Sequence, residues 1–456
     1  GSMRFSELEN VRVAILGAGR EGQAVWRQIR RRFPRKPLSL FSESDINHEF
    51  RLELQPALDV LHVGPFDVTV LGQFDLLVRS AGISIYRDEL MKLRSSGVRF
   101  TSASSLWFAE HPDAKTICIT GTLGKSTTAA LIAQLLFRAG VNACLAGNIG
   151  KPMLDCDDVD PDWWVIELSS YQISDLEAEP DIAVLLNISE EHIDWHMGIE
   201  NYTADKIRLA ELANDGRIIA NFTDKTLREG LKGRANVTWF NKDGNWQAGE
   251  DSVHRRPNVA GEPVITDNQV FAPASLPGEH NMQNLAAALT VIEMLGLEIP
   301  RLDEVLASFA GLPHRLQFIG EKNGIRYIDD SISTTPVSVD VALKTVGGRG
   351  VVLLLGGMDR GLDWGEFADG LSDTMPQAII TMPESGEKIF DCLKAKGVEP
   401  EGGLHTVSGL REGVLLAEKL VPRGGCVLLS PGAPSFPHFR DFADRGDQFQ
   451  EFSGFK

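Results

Sequence analysis

Short apolar, β-branched runs alternate with stretches of helical periodicity along most of the chain. Residues 11–16 form one such run, which leads through a glycine turn into a helical pattern over about 21–32. Strands that alternate with helices of this length are typical of βαβ units and a parallel sheet. Further buried strands are predicted at 38–41, 76–79, 116–120, 164–168, 183–186, 218–220, 351–355, 379–381 and 426–429.

This pattern restarts twice, near residue 104 and again after residues 311–313. The restarts predict an α/β protein with three domains, at residues 1–103, 104–311 and 312–456. The polar stretch 244–277 is rich in proline and glycine and is predicted to form short strands and loops on the middle domain. Ligands of open parallel sheets bind beyond the carboxyl ends of the strands, so ligand-binding residues are expected in the loops that follow strands.

Composition excludes several classes of function. The 456 residues include 63 acidic and 45 basic ones, a net charge of −18, which disfavours nucleic acid or an anionic membrane as a partner. The longest apolar runs fall far short of the roughly 20 residues that span a bilayer. Five cysteines without a CxxC pair predict neither a disulfide framework nor a zinc site. No secretory segment opens the chain, so we expect a cytoplasmic protein.

A glycine-containing turn, Gly121-Thr122-Leu123-Gly124-Lys125-Ser126-Thr127, follows the apolar run that ends at Thr120. The pattern is GxxGK[ST], looser than the strict Walker motif because Ile119 stands where another glycine is usual. Successive backbone N–H groups of such a turn bind a polyphosphate at the start of a helix, the lysine reaches the terminal phosphates and the serine hydroxyl holds Mg²⁺. We predict that this loop binds ATP; a glycine turn with a surface lysine is the simpler alternative.

A second glycine motif, Gly17-Ala18-Gly19-Arg20-Glu21-Gly22, follows the first strand, and Glu43 comes 21 positions after Gly22. This arrangement fits a dinucleotide-binding module. Glycines at these positions also allow close packing of strand on helix, and the same helix terminus can bind the diphosphate of a nucleotide sugar. The motif alone does not separate these three interpretations.

Acidic, histidine and lysine residues cluster after the middle strands. Glu167 ends one predicted strand, His192 lies in the stretch that follows another, and Lys206 falls in a helical segment at 202–212. A carboxylate and an imidazole at neighbouring strand ends can converge on a divalent ion beside the phosphate loop. The alternatives are a hydrogen-bonded core histidine and a helix-surface lysine; His196 is interpreted as structural.

Eight motifs occur in an order that resembles the Mur ligases, the ATP-dependent amide-forming enzymes of peptidoglycan precursor synthesis. Within that family the sequence is most similar to members that add glutamate to UDP-N-acetylmuramoyl-L-alanine, and the resemblance runs from Val11 to Phe452. The motifs are GTLGKST (121–127), ELSSYQ (167–172), EHIDWH (191–196), Lys206, GEHNMQN (278–284), GLPHR (311–315), DDS (329–331) and LLSPGAPSF (428–436).

The resemblance implies a Rossmann-like first domain for the uridine diphosphate sugar, a central P-loop ATPase with a mostly parallel sheet, and a Rossmann-like third domain for the incoming amino acid, whose closure completes the site. The UDP-sugar contacts that it implies are Gly17, Gly19, Gly22, Ser42, Ser80, Asn148, Ser169 and Gln172. The implied ATP contacts are Gly121, Thr122, Gly124, Lys125, Ser126, Thr127, Asn281, Asn284, Arg315 and Asp330. Two Mg²⁺ ions are implied at Ser126, Thr127, Glu167, His192 and Lys206, with Lys206 carbamylated, and the implied catalytic residues are Lys125, Glu167, His192 and Lys206.

The acceptor region departs from the pattern usual in D-glutamate-adding members. Those enzymes read DSKATN, whereas this chain has DSISTT at 330–335, so Ile332 replaces a cationic lysine. The variant run at 430–436 agrees with a small branch that adds L-glutamate and relies on a partner epimerase afterwards. The implied glutamate pocket is formed by Thr334, Arg360, Ser435 and Phe442. A surface ion pair is the simpler alternative for Arg360, and D-glutamate addition is the alternative activity.

Three other functions compete with this interpretation. A folylpolyglutamate synthase shares the chemistry but lacks the first hundred or so residues. A nicotinamide dehydrogenase accounts for residues 17–22 and Glu43 but leaves the phosphate loop and Glu167 unexplained. A non-catalytic ATP-binding regulator is distinguished by whether any amino acid stimulates ATP turnover.

Overall fold

The computed structural model describes residues 2–147, 152–156, 159–188, 199–213, 215–255, 269–273, 276–299, 301–307, 309 and 313–456. The chain divides into two compact units, Gly1–Phe309 and Ala310–Lys456. Two large, mostly parallel sheets lie in the first unit and a third lies in the second, which confirms the α/β class. The predicted domain boundary at 103 falls inside the first unit and stays a prediction.

A parallel sheet near the start of the chain has the strand order β3-β2-β1-β4-β5. Its strands are β1 (Val13–Leu16), β2 (Leu38–Ser42), β3 (Asp59–Val63), β4 (Leu76–Arg79) and β5 (Arg99–Ser102). The helices around it are α1 (Arg20–Arg32), α2 (His48–Glu53), α3 (Val68–Leu71), α4 (Asp88–Ser95) and α5 (Ala103–Glu110), after a 3-10 helix Phe5–Leu8. Strand order reverses between β1 and β4, so the loops that follow these two strands flank the crevice where such sheets bind ligands.

The second sheet of the first unit has the order β11-β10-β9-β6-β8-β7 and is parallel throughout. Its strands are β6 (Thr116–Thr120), β7 (Ala143–Gly147), β8 (Trp163–Glu167), β9 (Ile182–Leu185), β10 (Arg217–Asn221) and β11 (Val237–Phe240). The helices are α6 (Lys125–Arg138), α7 (Ser170–Ile173), α8 (Ile199–Leu212), α9 (Lys225–Gly230), α10 (Glu279–Met294) and α11 (Leu302–Ala307), with a 3-10 helix Met153–Asp155. Because β6 lies between β8 and β9, the loops after these three strands meet at one edge.

The polar stretch 244–277 forms, in its described part, a small antiparallel sheet. It consists of β12 (Gln247–Ala248), β13 (Ser252–His254) and β14 (Gln269–Phe271). This confirms the prediction of short strands there. Across the described ranges no helix is both long and apolar enough to cross a membrane.

The sheet of the second unit has the order β15-β16-β20-β17-β18-β19. Its strands are β15 (Gln317–Lys322), β16 (Ile325–Asp329), β17 (Val351–Leu355), β18 (Ala378–Thr381), β19 (Leu404–Thr406) and β20 (Cys426–Leu429). The helices are α12 (Pro336–Val346), α13 (Gly365–Gly370), α14 (Gly386–Ala395), α15 (Leu410–Leu420) and α16 (Phe442–Phe452), with a 3-10 helix Leu371–Asp373. β15 and β16 form an antiparallel hairpin, and the other pairs are parallel, so the loops after β16, β20 and β17 share one edge.

Candidate active site

The phosphate loop, residues 121–127, joins the central strand β6 to the 14-residue helix α6. Gly124 has a φ of 88°, and a Cβ atom there would lie 2.1 Å from Asn284 Oδ1, so both backbone conformation and space require glycine. The Lys125 ammonium donates to Gly121 O at 2.8 Å, which keeps it over the loop. The turn therefore presents a cation and the N-terminus of a long helix at the same point, the arrangement that binds phosphate.

Asn187 holds the tip of the phosphate loop. Its Oδ1 accepts the N–H groups of Thr122 and Leu123 at 2.8 and 2.9 Å, and its Nδ2 donates to Leu123 O at 2.9 Å. Two N–H groups that the sequence assigned to phosphate are thus engaged by this amide, which leaves phosphate binding to the start of α6. At residue 123 these hydrogen bonds involve only backbone atoms, so they do not depend on the leucine side chain.

Glu167 lies at the end of β8, directly beside β6. Ser126 Oγ donates to Glu167 Oε2 at 2.8 Å, and both residues are buried. The neighbouring Thr127 hydroxyl is buried without a hydrogen-bond partner. These hard oxygen atoms suit Mg²⁺. Among the described residues, no group of three or more His, Cys, Asp or Glu side chains is arranged to hold a metal ion. Mg²⁺ usually keeps waters and substrate phosphates among its ligands.

Lys206 is buried on α8, with only 2% of its surface exposed, so the surface-lysine alternative is wrong. Its ammonium lies 5.4 Å from the centre of the Tyr202 ring, and the Tyr202 hydroxyl lies 3.0 Å from Thr122 Oγ1. Helix α8 therefore contacts the phosphate loop through Tyr202, one turn before Lys206. The predicted ligand His192, together with His196, lies outside the described residues.

Two asparagines at the start of α10 lie near the phosphate loop, and one of them, Asn284, packs directly on it. Asn284 packs against Gly124 and its Nδ2 donates to Asn281 Oδ1 at 3.3 Å, while Asn281 Nδ2 donates to Pro277 O at 2.7 Å. Both side chains are buried. The structure thus brings the two residues to the predicted ATP site; their contact with adenine stays a prediction.

The glycine motif of the first sheet lies at the strand-order reversal. A Cβ atom at Gly22 would lie 1.9 Å from Gly17 O, so Gly22 serves close packing of helix α1 on the turn. Gly19, by contrast, faces open space at the N-terminus of the 13-residue α1. Ser80 Oγ lies 3.4 Å from Gly17 O across the crevice. The open N-terminus of α1 at Gly19 is the kind of position at which proteins bind anions.

Ser42 and Glu43 follow β2. Ser42 Oγ donates to Ser44 O, and Glu43 forms a surface ion pair with Arg87. The acidic residue that favoured a dinucleotide is therefore already paired with a guanidinium.

Ser169 and Gln172 connect the loop after β8 to the glycine motif. Ser169 caps the short helix α7 and its N–H donates to Gln172 Oε1 at 2.9 Å. Gln172 Nε2 donates to Glu21 Oε2 at 3.3 Å, and burial raises the pKa of Glu21 to about 7. Glu21 and Gln172 line one pocket of the first unit. Asn148 lies outside the described residues.

In the second unit, Asp330 lies just beyond the end of β16 and is buried. Its carboxylate accepts Leu316 N–H at 3.0 Å and Ser430 Oγ at 2.8 Å. Burial raises the pKa of Asp330 to about 7, against the opposing effects of Ser430 and Arg315. Arg315 Nε is buried without a hydrogen-bond partner. The second unit therefore has a buried carboxyl group, Asp330, with a raised pKa, and a nearby guanidinium, Arg315, whose Nε has no hydrogen-bond partner.

The four residues of the predicted glutamate pocket come from loops that are tied to one another. Arg360 Nη2 donates to Thr334 O at 2.9 Å, and its Nε is buried without a partner, so Arg360 is not the surface ion pair of the simpler alternative. Ser435 is buried in the loop after β20, and Phe442 begins α16, where its carbonyl accepts Ser331 Oγ at 2.6 Å.

Arg445, which sequence reasoning missed, fastens these loops. Its guanidinium is 1% exposed and donates to Ser331 Oγ, Ser331 O and Ala433 O at 3.0, 2.6 and 2.8 Å. Burial lowers the pKa of Arg445, opposed by Asp329 and Asp330. An arginine in a polar helix gives no sequence signal for this role.

We expect Asp330→Asn to change how stability depends on pH. The pKa of Asp330 is raised from 3.8 to about 7 on folding, so its stabilising contribution is complete below pH 3.8 and is lost as the pH rises through about 7. The free energy of unfolding in urea should fall between pH 5 and pH 8 in the wild type by up to about 2.6 kcal/mol more than in the variant. The exposed Asp369→Asn is the control and should follow the wild type; parallel curves for Asp330→Asn would contradict the assignment.

Comparison with known proteins agrees with this geometry. Residues 119–292 match the Mur ligase middle domain and 314–432 the Mur ligase glutamate ligase domain. The UDP-N-acetylmuramoyl-L-alanine–L-glutamate ligase of Xanthomonas euvesicatoria is 41% identical over 464 residues, covering 99% of this chain and 97% of that protein.

Two solved structures share the fold. The first is UDP-N-acetylmuramate–alanine ligase of Thermotoga maritima, which is 17% identical with a TM-score of 0.61 and covers 97% of this chain and 99% of that one. The second is the MurF ligase of the same organism in complex with ADP, which is 17% identical with a TM-score of 0.58 and covers 99% of this chain and 96% of that one. Because the 41% identity extends over nearly the whole of both sequences and the phosphate loop lies inside the matched middle domain, the chain belongs to the Mur ligase family.

Proposed function

We propose that this protein joins glutamate to UDP-N-acetylmuramoyl-L-alanine at the expense of ATP, with L-glutamate as the preferred substrate. The observation that carries the proposal is the phosphate loop with Ser126 hydrogen-bonded to Glu167 and with Lys206 buried on the adjacent helix α8. The name of the Xanthomonas relative supports the two organic substrates.

A carboxylate does not form an amide with an amine directly, because its oxygen is a poor leaving group. In the proposed reaction the alanyl carboxylate attacks the γ-phosphorus of ATP and ADP leaves. The glutamate amine then attacks the acyl carbon and expels phosphate. Lys125 and the start of α6 neutralise the phosphate charge, so the chain's contribution is mostly positioning and electrostatics.

Magnesium fits this site on the chemistry of its oxygen atoms. We propose that Ser126, Thr127 and Glu167 hold one ion, and that Lys206 and His192 lie near a second. When bound, the ions supply neutralisation of the phosphate oxygens. Carbamylation of Lys206 is proposed because it turns a buried ammonium into a carboxylate-like group.

The sugar nucleotide is placed in the crevice of the first sheet, with its diphosphate at Gly19 on the N-terminus of α1. Ser80 lies across this crevice, and Gln172 hydrogen-bonds Glu21 of the glycine motif. An open space at Gly19, rather than a side chain, is the feature that supports this placement.

The L-glutamate preference rests on the pocket of the second unit. Ile332 removes the lysine that D-glutamate-adding members carry, and Arg360 is the cation that takes its place, with a guanidinium able to bind a carboxylate in a bidentate manner. Inversion at Cα exchanges the directions of the α-carboxylate and the side chain, so a cation from a different loop suits the opposite enantiomer. An epimerase acting afterwards is the proposed partner.

The test supplies purified protein with ATP, Mg²⁺, UDP-N-acetylmuramoyl-L-alanine and either glutamate enantiomer, with product detected by mass spectrometry. We expect product with L-glutamate at a rate at least about tenfold above that with D-glutamate, a difference of about 1.4 kcal/mol. A faster reaction with D-glutamate would contradict the proposed preference for L-glutamate but not the proposed ligase activity. The absence of ATP-dependent product with both enantiomers would contradict the proposed function. UDP-N-acetylmuramate without alanine is the control and should give none.

A further inference from the structure

The loop between β4 and α4, residues 80–87, carries a tyrosine that reaches helix α8. The Tyr86 hydroxyl lies 2.9 Å from each carboxylate oxygen of Asp205, and Tyr86 N–H donates to Ser84 Oγ at 3.1 Å. Burial and Asp205 raise the pKa of Tyr86, so the phenol is protonated at neutral pH and donates. Asp205 is only 5% exposed, and a carboxylate so buried needs hydrogen bonds to offset its lost hydration.

Asp205 lies close to Tyr202, a residue of the candidate active site, on the surface of α8. Tyr202 precedes Asp205 by three positions and Lys206 by four, and residues at these spacings are neighbours on a helix. The Tyr202 hydroxyl lies 3.0 Å from Thr122 Oγ1 of the phosphate loop. Helix α8 is thus held at Asp205 by the β4–α4 loop and at Tyr202 by the phosphate loop.

The base of the β4–α4 loop is fixed independently. Arg79, the last residue of β4, is 1% exposed, and its Nη2 donates to Asp175 Oδ1 at 2.6 Å and to Tyr171 O at 3.1 Å. Arg79 also donates to Ile83 O at 2.8 Å, inside the loop itself. Because the base of the loop is anchored in this way, a rearrangement of the loop would move its far end, where Tyr86 lies.

We propose that Tyr86 is a positioning residue that couples the sugar-nucleotide site to the ATP site through Asp205 and α8. The inference rests on the proposed function, which places the sugar nucleotide at Ser80, the first residue of this loop, and ATP at the phosphate loop. Sugar nucleotide at Ser80 orders the loop, the Tyr86–Asp205 bond fixes the rotation of α8, and Tyr202 then holds Thr122 in place. Tyr86 itself does not touch the reacting atoms.

The experiment measures this coupling by calorimetry. The Kd of a non-hydrolysable ATP analogue with Mg²⁺ is determined with and without saturating UDP-N-acetylmuramoyl-L-alanine. We expect the sugar nucleotide to lower the Kd of the analogue at least about fivefold in the wild type. The analogue should lower the Kd of the sugar nucleotide by the same factor. In Tyr86→Phe, which removes only the hydroxyl, the ratio should fall below about twofold.

Matched variants separate coupling from a general loss of stability. Tyr327→Phe removes the hydroxyl of another buried tyrosine, whose pKa burial and Glu418 raise, in the second unit, and should keep the wild-type ratio. Asp205→Asn keeps an acceptor for the Tyr86 hydroxyl and should also retain coupling, whereas Asp205→Ala should lose it. Tyr86→Phe combined with Asp205→Ala should lose no more than either change alone.

Two results would overturn the inference while leaving the proposed function intact: a wild-type ratio of one, or a wild-type ratio in both Tyr86→Phe and Asp205→Ala. Failure of the proposed function looks different, because the wild type would then bind no UDP-N-acetylmuramoyl-L-alanine or form no product. That outcome overturns both.

Discussion

Lys125→Met should lower kcat for ATP-dependent ligation by roughly 10²- to 10³-fold, the range observed when one preorganised donor is removed from a transition state. The substitution keeps the length of the side chain and removes its charge. Lys125 is already held over the loop by its bond to Gly121 O, so little reorganisation is needed when phosphate charge develops. The measurement is steady-state ADP release at saturating ATP, sugar nucleotide and glutamate.

Lys225→Met is the matched control for this prediction. Lys225 is exposed on α9 of the same unit and pairs with Glu229, so its loss should leave kcat within about twofold of the wild type. Thermal midpoints of both variants show whether folding is preserved. Retention of more than a tenth of the wild-type kcat by a folded Lys125→Met would contradict the role given to Lys125.

Arg360→Ala should lower kcat/KM for glutamate by roughly 30-fold or more while leaving the KM for ATP unchanged, because truncating one partner of a buried charge pair typically costs 2–5 kcal/mol. Arg360 reaches the loop of Thr334 and keeps a buried Nε without a partner, which marks it as a donor still available to a ligand. Initial rates with glutamate varied at saturating ATP and sugar nucleotide give the value.

Two further variants sharpen this test. Arg360→Lys keeps the charge but loses the planar guanidinium, so its kcat/KM for glutamate should lie between those of Arg360→Ala and the wild type. Arg349→Ala removes an exposed arginine of the same unit and should change neither constant. A proportional rise in the KM values for ATP and glutamate in Arg360→Ala would show damage to the whole unit and count against a glutamate contact.

Most of the central strands could be predicted because parallel strands covered on both faces read as continuous apolar runs. The inner strand β16 was missed, since Arg326 and Asp329 interrupt its apolar pattern. β6 and β17 are buried along their whole length and fall where the pattern placed them. The edge strands β3 and β19 were missed, since each is partly exposed and carries polar residues such as His62 and His405, which weakens the signal.

Site residues divide in the same way. Lys125 and Ser126 could be predicted because their role follows from a local turn between a strand and a helix. Thr122 is contacted by Asn187, which lies 65 residues away in sequence, and by Tyr202, which lies 80 residues away. Ser331 is contacted by Arg445, which lies 114 residues away. No local pattern encodes such contacts, which depend on how separate strands and helices pack.

Transfer of oxygen from the alanyl carboxylate to phosphate tests the proposed chemistry most directly. UDP-N-acetylmuramoyl-L-alanine labelled with ¹⁸O at both carboxylate oxygens is turned over with ATP and L-glutamate, and the released phosphate is analysed by mass spectrometry. Activation through an acyl phosphate predicts one ¹⁸O atom in each phosphate and one retained in the new amide. Phosphate free of the label would contradict the account, because ATP would then have been attacked by some other oxygen.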